Sequence, residues 1–231
     1  MISIAIPTYE MNGVGCIFLK KSLELISLQT FKDFEVVISD HSIDDSIKNI
    51  CEEFKDSLKI IYLRNEVNRG SSSSNMNNAI LNCKGEIIKF LFQDEYLYKT
   101  NCLEDIKNYF DNNGEYWLIT GCSYGESPDQ IIGNMIPRYE DKSIIQSINT
   151  IGSPSVVSIR NRDLELFGDN LLWIMDCDYY KRVFDRHGEP GVLADNKVFI
   201  CQHKNQVSNL IDSGLKIKEE NYLKNKYQYE S

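Results

Sequence analysis

Short apolar runs alternate with helix-spaced apolar residues through the first half of the chain. Ile2 to Ile6 reads as a buried strand that runs into Pro7-Thr8-Tyr9. Leu19, Leu23 and Ile26 follow at helical spacing, and Phe34 to Ser39 forms a second apolar run. Ile47, Ile50, Cys51 and Phe54 mark one face of a second helix. Leu58 to Leu63 predicts a third strand, Ser74 to Leu81 a third helix with Met76, Ala79 and Ile80 inward, and Ile87 to Phe92 a fourth strand. Strands alternating with helices predict a mostly parallel sheet covered on both faces.

In such sheets ligands bind beyond the carboxyl ends of the strands. Four clusters fall there: Pro7-Thr8-Tyr9, Asp40, Asn68-Arg69-Gly70 and Gln93-Asp94-Glu95. The second half is less regular. Trp117 to Thr120, Ser155 to Ile159 and Val198 to Cys201 read as strands, Trp173 to Phe184 as a helix, and Leu215 to Gln228 as a charged helical tail. There is no internal repeat and no Pro- or Gly-rich linker, so one domain is expected. Within it, residues 1–98 form a nucleotide-binding half, 99–210 an acceptor-side half and 211–231 the tail.

Composition narrows the partners. The 231 residues are 42% apolar and 26% charged, as in an ordinary globular protein. A net charge of −9 argues against nucleic acid, although a small anion remains possible if helix amino termini and a metal supply positive charge. Seven scattered cysteines without a C-x-x-C pair suit reduced thiols in a cytosol. The start of the chain does not read as a secretory leader, and no stretch approaches the ~20 apolar residues of a membrane span. A cytoplasmic location is expected, with peripheral contact at the inner face of the plasma membrane as an option for the lysines of residues 216–226.

Taken in order, these segments resemble the inverting glycosyltransferases of family 2. The resemblance lies in Ile4-Ala5-Ile6-Pro7-Thr8-Tyr9, in Leu28 to Asp40, in Asn68-Arg69-Gly70 with Asn75, Asn77 and Ala79, and in Gly85-Glu86-Ile87-Ile88. Ile151 to Ser155 and Met175 to Arg182 are similar to the family's acceptor-side landmarks. Three departures stand out: Glu10 where asparagine is common, a tighter loop after Asp40, and Gln93-Asp94-Glu95 in place of an Asp-x-Asp motif. The resemblance implies an α/β GT-A fold with a Rossmann-like central sheet. It also implies transfer of a sugar, with inversion, from a nucleotide-sugar donor to a hydroxyl of a glycan or lipid-linked acceptor. The donor class favoured is a UDP-sugar, and the setting is cell-surface polysaccharide synthesis, such as capsule or O-antigen.

The residue roles follow from that resemblance together with the chemistry of each side chain. Asp94 and Glu95 are hard oxygen ligands suited to Mn2+ or Mg2+ at the diphosphate, with His203 as a further metal candidate. Asp176, favoured over Asp178, is the general base that takes the acceptor hydroxyl's proton. Pro7, Thr8, Tyr9, Asp40, Arg69 and Asn75 line the donor site with Asp94, Asp40 reading the nucleobase. Asn75 and Asn77 either touch the donor or hold the loop, and Asp44 fits a capping role. Residues 71–74, all serine, read as a helix entry near phosphate. Trp173 and Asp178 are acceptor-side candidates, and Tyr179 and Tyr180 are either a sugar platform or core. The rivals are a sugar nucleotidyltransferase and a catalytically inactive glycan-binding relative. A dinucleotide-dependent oxidoreductase is disfavoured because no Gly-rich turn follows the first strand.

Overall fold

The computed structural model describes residues 1–228. Strand β1 (Ile2–Thr8) is followed by helix α1 (Gly15–Ser27), then β2 (Phe34–Asp40), α2 (Ser46–Glu53), β3 (Ile60–Arg64), α3 (Ser72–Leu81) and β4 (Ile87–Phe90). Next come β5 (Glu95–Leu97), α4 (Cys102–Asn112), β6 (Trp117–Ser127), β7 (Gln130–Met135), α5 (Asp141–Ile145) and β8 (Val157–Arg160). Helix α6 (Met175–His187), β9 (Gly191–Cys201), α7 (Val207–Leu210) and α8 (Ser213–Gln228) complete the described chain. Residues 229–231 of the expected tail lie outside the described residues.

The strands form one sheet in the order β3-β2-β1-β4-β8-β6-β9-β5, with β7 paired to β6. The first four are mutually parallel. Beyond β4 the sheet is mixed: β8 runs antiparallel to both β4 and β6, and β9 is parallel to β6. Strands from both halves of the chain therefore share one sheet.

Both faces of the central strands are buried, which is why they read as continuous apolar runs. Ile2, Ile4, Ile6, Val36 and Ile38 pack with Leu19, Leu23 and Ile26 of α1 and with α2 and α4 on one face. Ala5 and Val37 point to the other face, toward α3, α6 and α8. Each fully buried Leu or Ile contributes about 1.5–3 kcal/mol.

Several boundaries differ from expectation for local reasons. Pro154 opens a single 3-10 turn over Pro154–Val156, capped by Ser153 Oγ on the Ser155 N–H, so β8 starts later than Ser155. Helix α6 starts at Met175 rather than Trp173, and a carboxylate from α8 binds the N–H groups of residues 172–174 that lead into it. Elements α4, α5, β5 and β7 were not anticipated. The face Cys102, Leu103, Ile106 and Phe110 is buried in α4, and that spacing is legible in retrospect. All seven cysteines are free.

Candidate functional site

The carboxyl ends of β1, β2 and β4 open into one cavity of about 570 Å³, a size suited to a small ligand. Its floor begins at Pro7-Thr8-Tyr9. The Tyr9 N–H donates to Gln93 Oε1 at 3.0 Å, which ties the end of β1 to the segment after β4. Gly15 makes this possible: a Cβ there would sit 2.2 Å from the Tyr9 carbonyl oxygen. Burial, then the charges of Asp94 and Glu10, push the Tyr9 hydroxyl up.

Asn75 and Asn77 settle the choice left open by the sequence. Asn75 is buried; its Nδ2 donates to the Thr8 carbonyl at 2.9 Å, and its Oδ1 accepts from Ser39 Oγ at 2.6 Å. Asn77 is bonded to both the N–H and the carbonyl of Phe167. Both amides hold loops, and Asn75 in addition lines the cavity, with one Nδ2 hydrogen left over from its bond to Thr8. Ser71 caps α3, with Oγ accepting from the Ser74 N–H. Asp44 accepts from the Ser46 N–H at the entry to α2, as its capping role required.

Asp40 also departs from expectation. It is fully buried and does not line the cavity. One carboxylate oxygen accepts from the Ser42 N–H at 2.8 Å and the other from the Tyr62 hydroxyl at 2.6 Å. The structure thus makes Asp40 a brace for the turn after β2, and a nucleobase would meet His41, Ile43 and Arg69 on the cavity wall first. Arg69 is half-exposed, and its nearest acid, Glu66, is 3.8 Å away.

After β4 the chain turns, and adjacent carboxylates go separate ways, as neighbours on an extended segment do. Asp94 lines the cavity and accepts from His203 at 2.8 Å. His203 stacks on Phe18, and its Nδ1 accepts from the Asn205 N–H at 3.2 Å. That second bond requires Nδ1 to be bare, so Nε2 carries the proton that Asp94 receives. In this arrangement His203 orients Asp94, and it is not among the residues that line the cavity. Glu95 is nearly buried and accepts from Ser153 Oγ at 2.6 Å. Burial and the neighbouring Asp94 charge push its carboxyl up to about 8. Glu95 lines the cavity beside Asp94, and a cation there would favour its ionised form.

Among the described residues no group of three or more His, Cys, Asp or Glu side chains could hold a metal by itself. A divalent cation fits nonetheless on Asp94, since Mg2+-type ions take one or two carboxylates and complete their shell with phosphate oxygens and water. The wall also carries Glu10 and Asp176, so a bare diphosphate would be repelled without such a cation.

Asp176, in the first turn of α6, lines the same cavity. Its Oδ2 accepts from Asn149 Nδ2 at 2.5 Å and its Oδ1 from the Cys177 N–H at 2.7 Å. Burial raises its carboxyl to about 6, against the lowering effect of those hydrogen bonds. Each oxygen keeps a lone pair free for a further proton or hydrogen bond. Trp173 lines the cavity beside it, with the Lys216 ammonium 5.5 Å from its ring.

Asp178 is not an acceptor contact. It is buried and paired with Arg182 at 2.9 Å and Lys226 at 2.5 Å, with the Tyr227 hydroxyl on the same carboxylate. Tyr179 and Tyr180 are fully buried core. Sequence reasoning missed Asn149 and Glu219, and it placed Ser153 in an acceptor-side segment without its bond to Glu95. The turn around Gly152 offered a cue for Asn149, whereas nothing local marked Glu219.

A family model described as "Glycosyl transferase family 2" matches residues 3–167. The chain belongs to glycosyltransferase family 2. The match takes in the strand ends around Asp94 but stops short of α6 and Asp176. Among curated proteins this family member is 30% identical over 97 residues to the GalNAc(5)-diNAcBac-PP-undecaprenol beta-1,3-glucosyltransferase of Campylobacter jejuni, covering 42% of this chain and 30% of that one. Among solved structures it superposes on S. aureus TarS in complex with UDP-GlcNAc with a TM-score of 0.69 at 20% identity, covering 95% of this chain and 64% of that one. The mannosyltransferase PcManGT from Pyrobaculum calidifontis, in complex with GDP-Man and Mn2+, gives 0.61 at 14% identity, covering 88% and 57%. The family 2 chain described here thus spans less than a third of the Campylobacter relative's length and under two thirds of the TarS chain. Its fold is the GT-A fold of these glycosyltransferases.

Proposed function

We propose that the protein transfers a sugar, with inversion, from a UDP-sugar to a hydroxyl of a lipid-linked glycan in surface-polysaccharide synthesis. The observation that carries this reading is that Asp94 and Asp176, one after the parallel strands and one on α6, line the same cavity. The names of two similar proteins support the substrate classes: the Campylobacter enzyme for an undecaprenol-linked acceptor, and the TarS complex for a UDP-sugar. A lipid-linked acceptor places the reaction at the inner face of the plasma membrane, with the protein peripheral. Of the tail lysines, Lys216 donates to the Ser208 carbonyl and Lys226 pairs with Asp178, which leaves the exposed Lys218 as the one most open to such a contact.

The donor diphosphate lies at Asp94, whose carboxylate His203 holds in place, with Arg69 free to reach the nucleotide. Pro7 to Tyr9 supply the floor beneath it. A Mn2+ or Mg2+ ion bound there would act as a Lewis acid on the departing nucleoside diphosphate. The acceptor hydroxyl gives its proton to Asp176 as its oxygen bonds the anomeric carbon. The bond from that carbon to the diphosphate oxygen breaks with its electron pair leaving on the diphosphate. Asn149 keeps the Asp176 carboxylate aimed, and Trp173 offers an aromatic face to the acceptor sugar.

The test is a thermal-shift panel of UDP, GDP, dTDP and CMP with and without Mn2+, followed by transfer assays with the matching nucleotide sugars. A Mn2+-dependent rise in Tm with UDP alone is expected. No shift with any nucleotide, or release of pyrophosphate from UTP and a sugar phosphate, would overturn the reading.

A further inference from the structure

We propose that Glu219 on α8 is a positioning residue for the transfer step, so that the C-terminal helix is a working part of the acceptor end of the site. The proposal rests on the glycosyl-transfer reading above. Glu219 is nearly buried, and its two oxygens bind three consecutive backbone N–H groups: Leu172 at 2.9 Å, Trp173 at 2.9 Å and Ile174 at 3.1 Å. These groups lead into α6, where Ile174 supplies no side-chain cap. A helix start leaves such N–H groups without intrahelical partners and carries partial positive charge, so one carboxylate satisfies both needs. The segment it grips contains Trp173 and ends two residues before Asp176, and both of these line the cavity.

The helix carrying Glu219 is itself fixed at several points. Leu223 and Tyr227 sit in the core against α6, and Lys226 and the Tyr227 hydroxyl meet Asp178. Lys216 lies over the Trp173 ring. A chain segment more than forty residues away in sequence thereby sets the height and rotation of the α6 entry. Misplacing a reacting group by about 1 Å can cost about 10²-fold in rate. A grip of this kind therefore shows in kcat rather than in nucleotide binding.

The experiment compares Glu219→Gln, Glu219→Asp and Tyr227→Phe in the full chain. It measures kcat and KM for transfer, the UDP–Mn2+ thermal shift, and acrylamide quenching of tryptophan emission. Trp117 is fully buried, so quenching reports mainly on half-buried Trp173. Glu219→Gln is expected to lower kcat about 10-fold or more, leave the UDP shift intact and raise the quenching constant. Glu219→Asp, which keeps the charge, is expected to fall between it and the parent. Tyr227→Phe, which removes one of several anchors of α8 and keeps the ring in the core, is expected to lower Tm with a smaller fall in kcat than Glu219→Gln. A Glu219→Gln kcat within about twofold of the parent overturns the proposal, as does a loss of kcat and UDP binding in step with Tm. Should Glu219→Gln fail to fold, Glu219→Asp is read by the same split, and an unchanged kcat overturns it. Should the parent transfer no sugar, the transfer reading fails, and unchanged Trp173 quenching in the variants separately ends the claim for Glu219.

Discussion

The proposed nucleotide end of the cavity, at Asp94, and the proposed acceptor end, at Asp176, are held by different sets of contacts. At the nucleotide end hydrogen bonds within the first half of the chain do the holding: Asn75 ties α3 to β1 and β2, Gln93 ties the end of β4 to Tyr9, and Asp40 braces the turn after β2. At the acceptor end, beside the Asn149 amide on Asp176, charged groups reach in from α8, with Glu219 on the backbone before α6 and Lys226 on Asp178. Buried ion pairs suit the acceptor end, where a helix from outside the parallel sheet must be docked in one register. Such pairs add little net stability but are costly to break singly.

The sharpest way to test this division is Asp176→Asn, which should cut transfer about 10²–10⁴-fold while leaving the UDP–Mn2+ thermal shift in place. Loss of both would mean that the two ends are not separable. Next, Asp178→Asn leaves Arg182 and Lys226 facing a neutral group at a buried site. It should cost about 3 kcal/mol of stability, read as a Tm lower by roughly 6–12 °C in a chain of this size. Asn75→Ala removes an amide brace and leaves Ser39 Oγ and the Thr8 carbonyl short of a partner. A loss of about 2 kcal/mol by denaturant titration, with weakened UDP binding, is expected there and not for Asp178→Asn.

The smallest effect is in pH dependence. In the proposed reaction Asp176 must be ionised to take a proton, and burial holds its carboxyl at about 6, above the ordinary aspartate range. Activity is therefore complete above that value and falls as pH drops through it, by about tenfold per unit. Asn149 donates to the ionised form, so Asn149→Ala should move the acid limb of kcat/KM to higher pH. An acid limb unmoved by that change would remove Asn149 from the acceptor end.

Legibility in the sequence followed the same division. The four parallel strands, their helices and the convergence of Pro7-Thr8-Tyr9 with Asp94 were readable because each element's period lies within a few residues. The partners of Asp40, Asn75, Glu95, His203 and Asp178 were not. Each is a polar side chain whose task depends on which distant group reaches it first: Tyr62 for Asp40, Ser39 for Asn75, Ser153 for Glu95, Asn205 for His203 and Lys226 for Asp178. An acid at a strand end looks the same in sequence whether it faces a cavity or a serine hydroxyl.

Alternating apolar periods, together with turn residues at the strand ends, by themselves determined an α/β sheet and the rim where its cavity opens, and the resemblance of whole segments gave the family. Only the tertiary structure decided which carboxylates remain available at that rim and that α8 grips the entry to α6. Apolar periodicity is a local property that burial enforces everywhere along an element. The partner of a single buried polar atom is fixed by contacts across the chain, and no short window of sequence contains them.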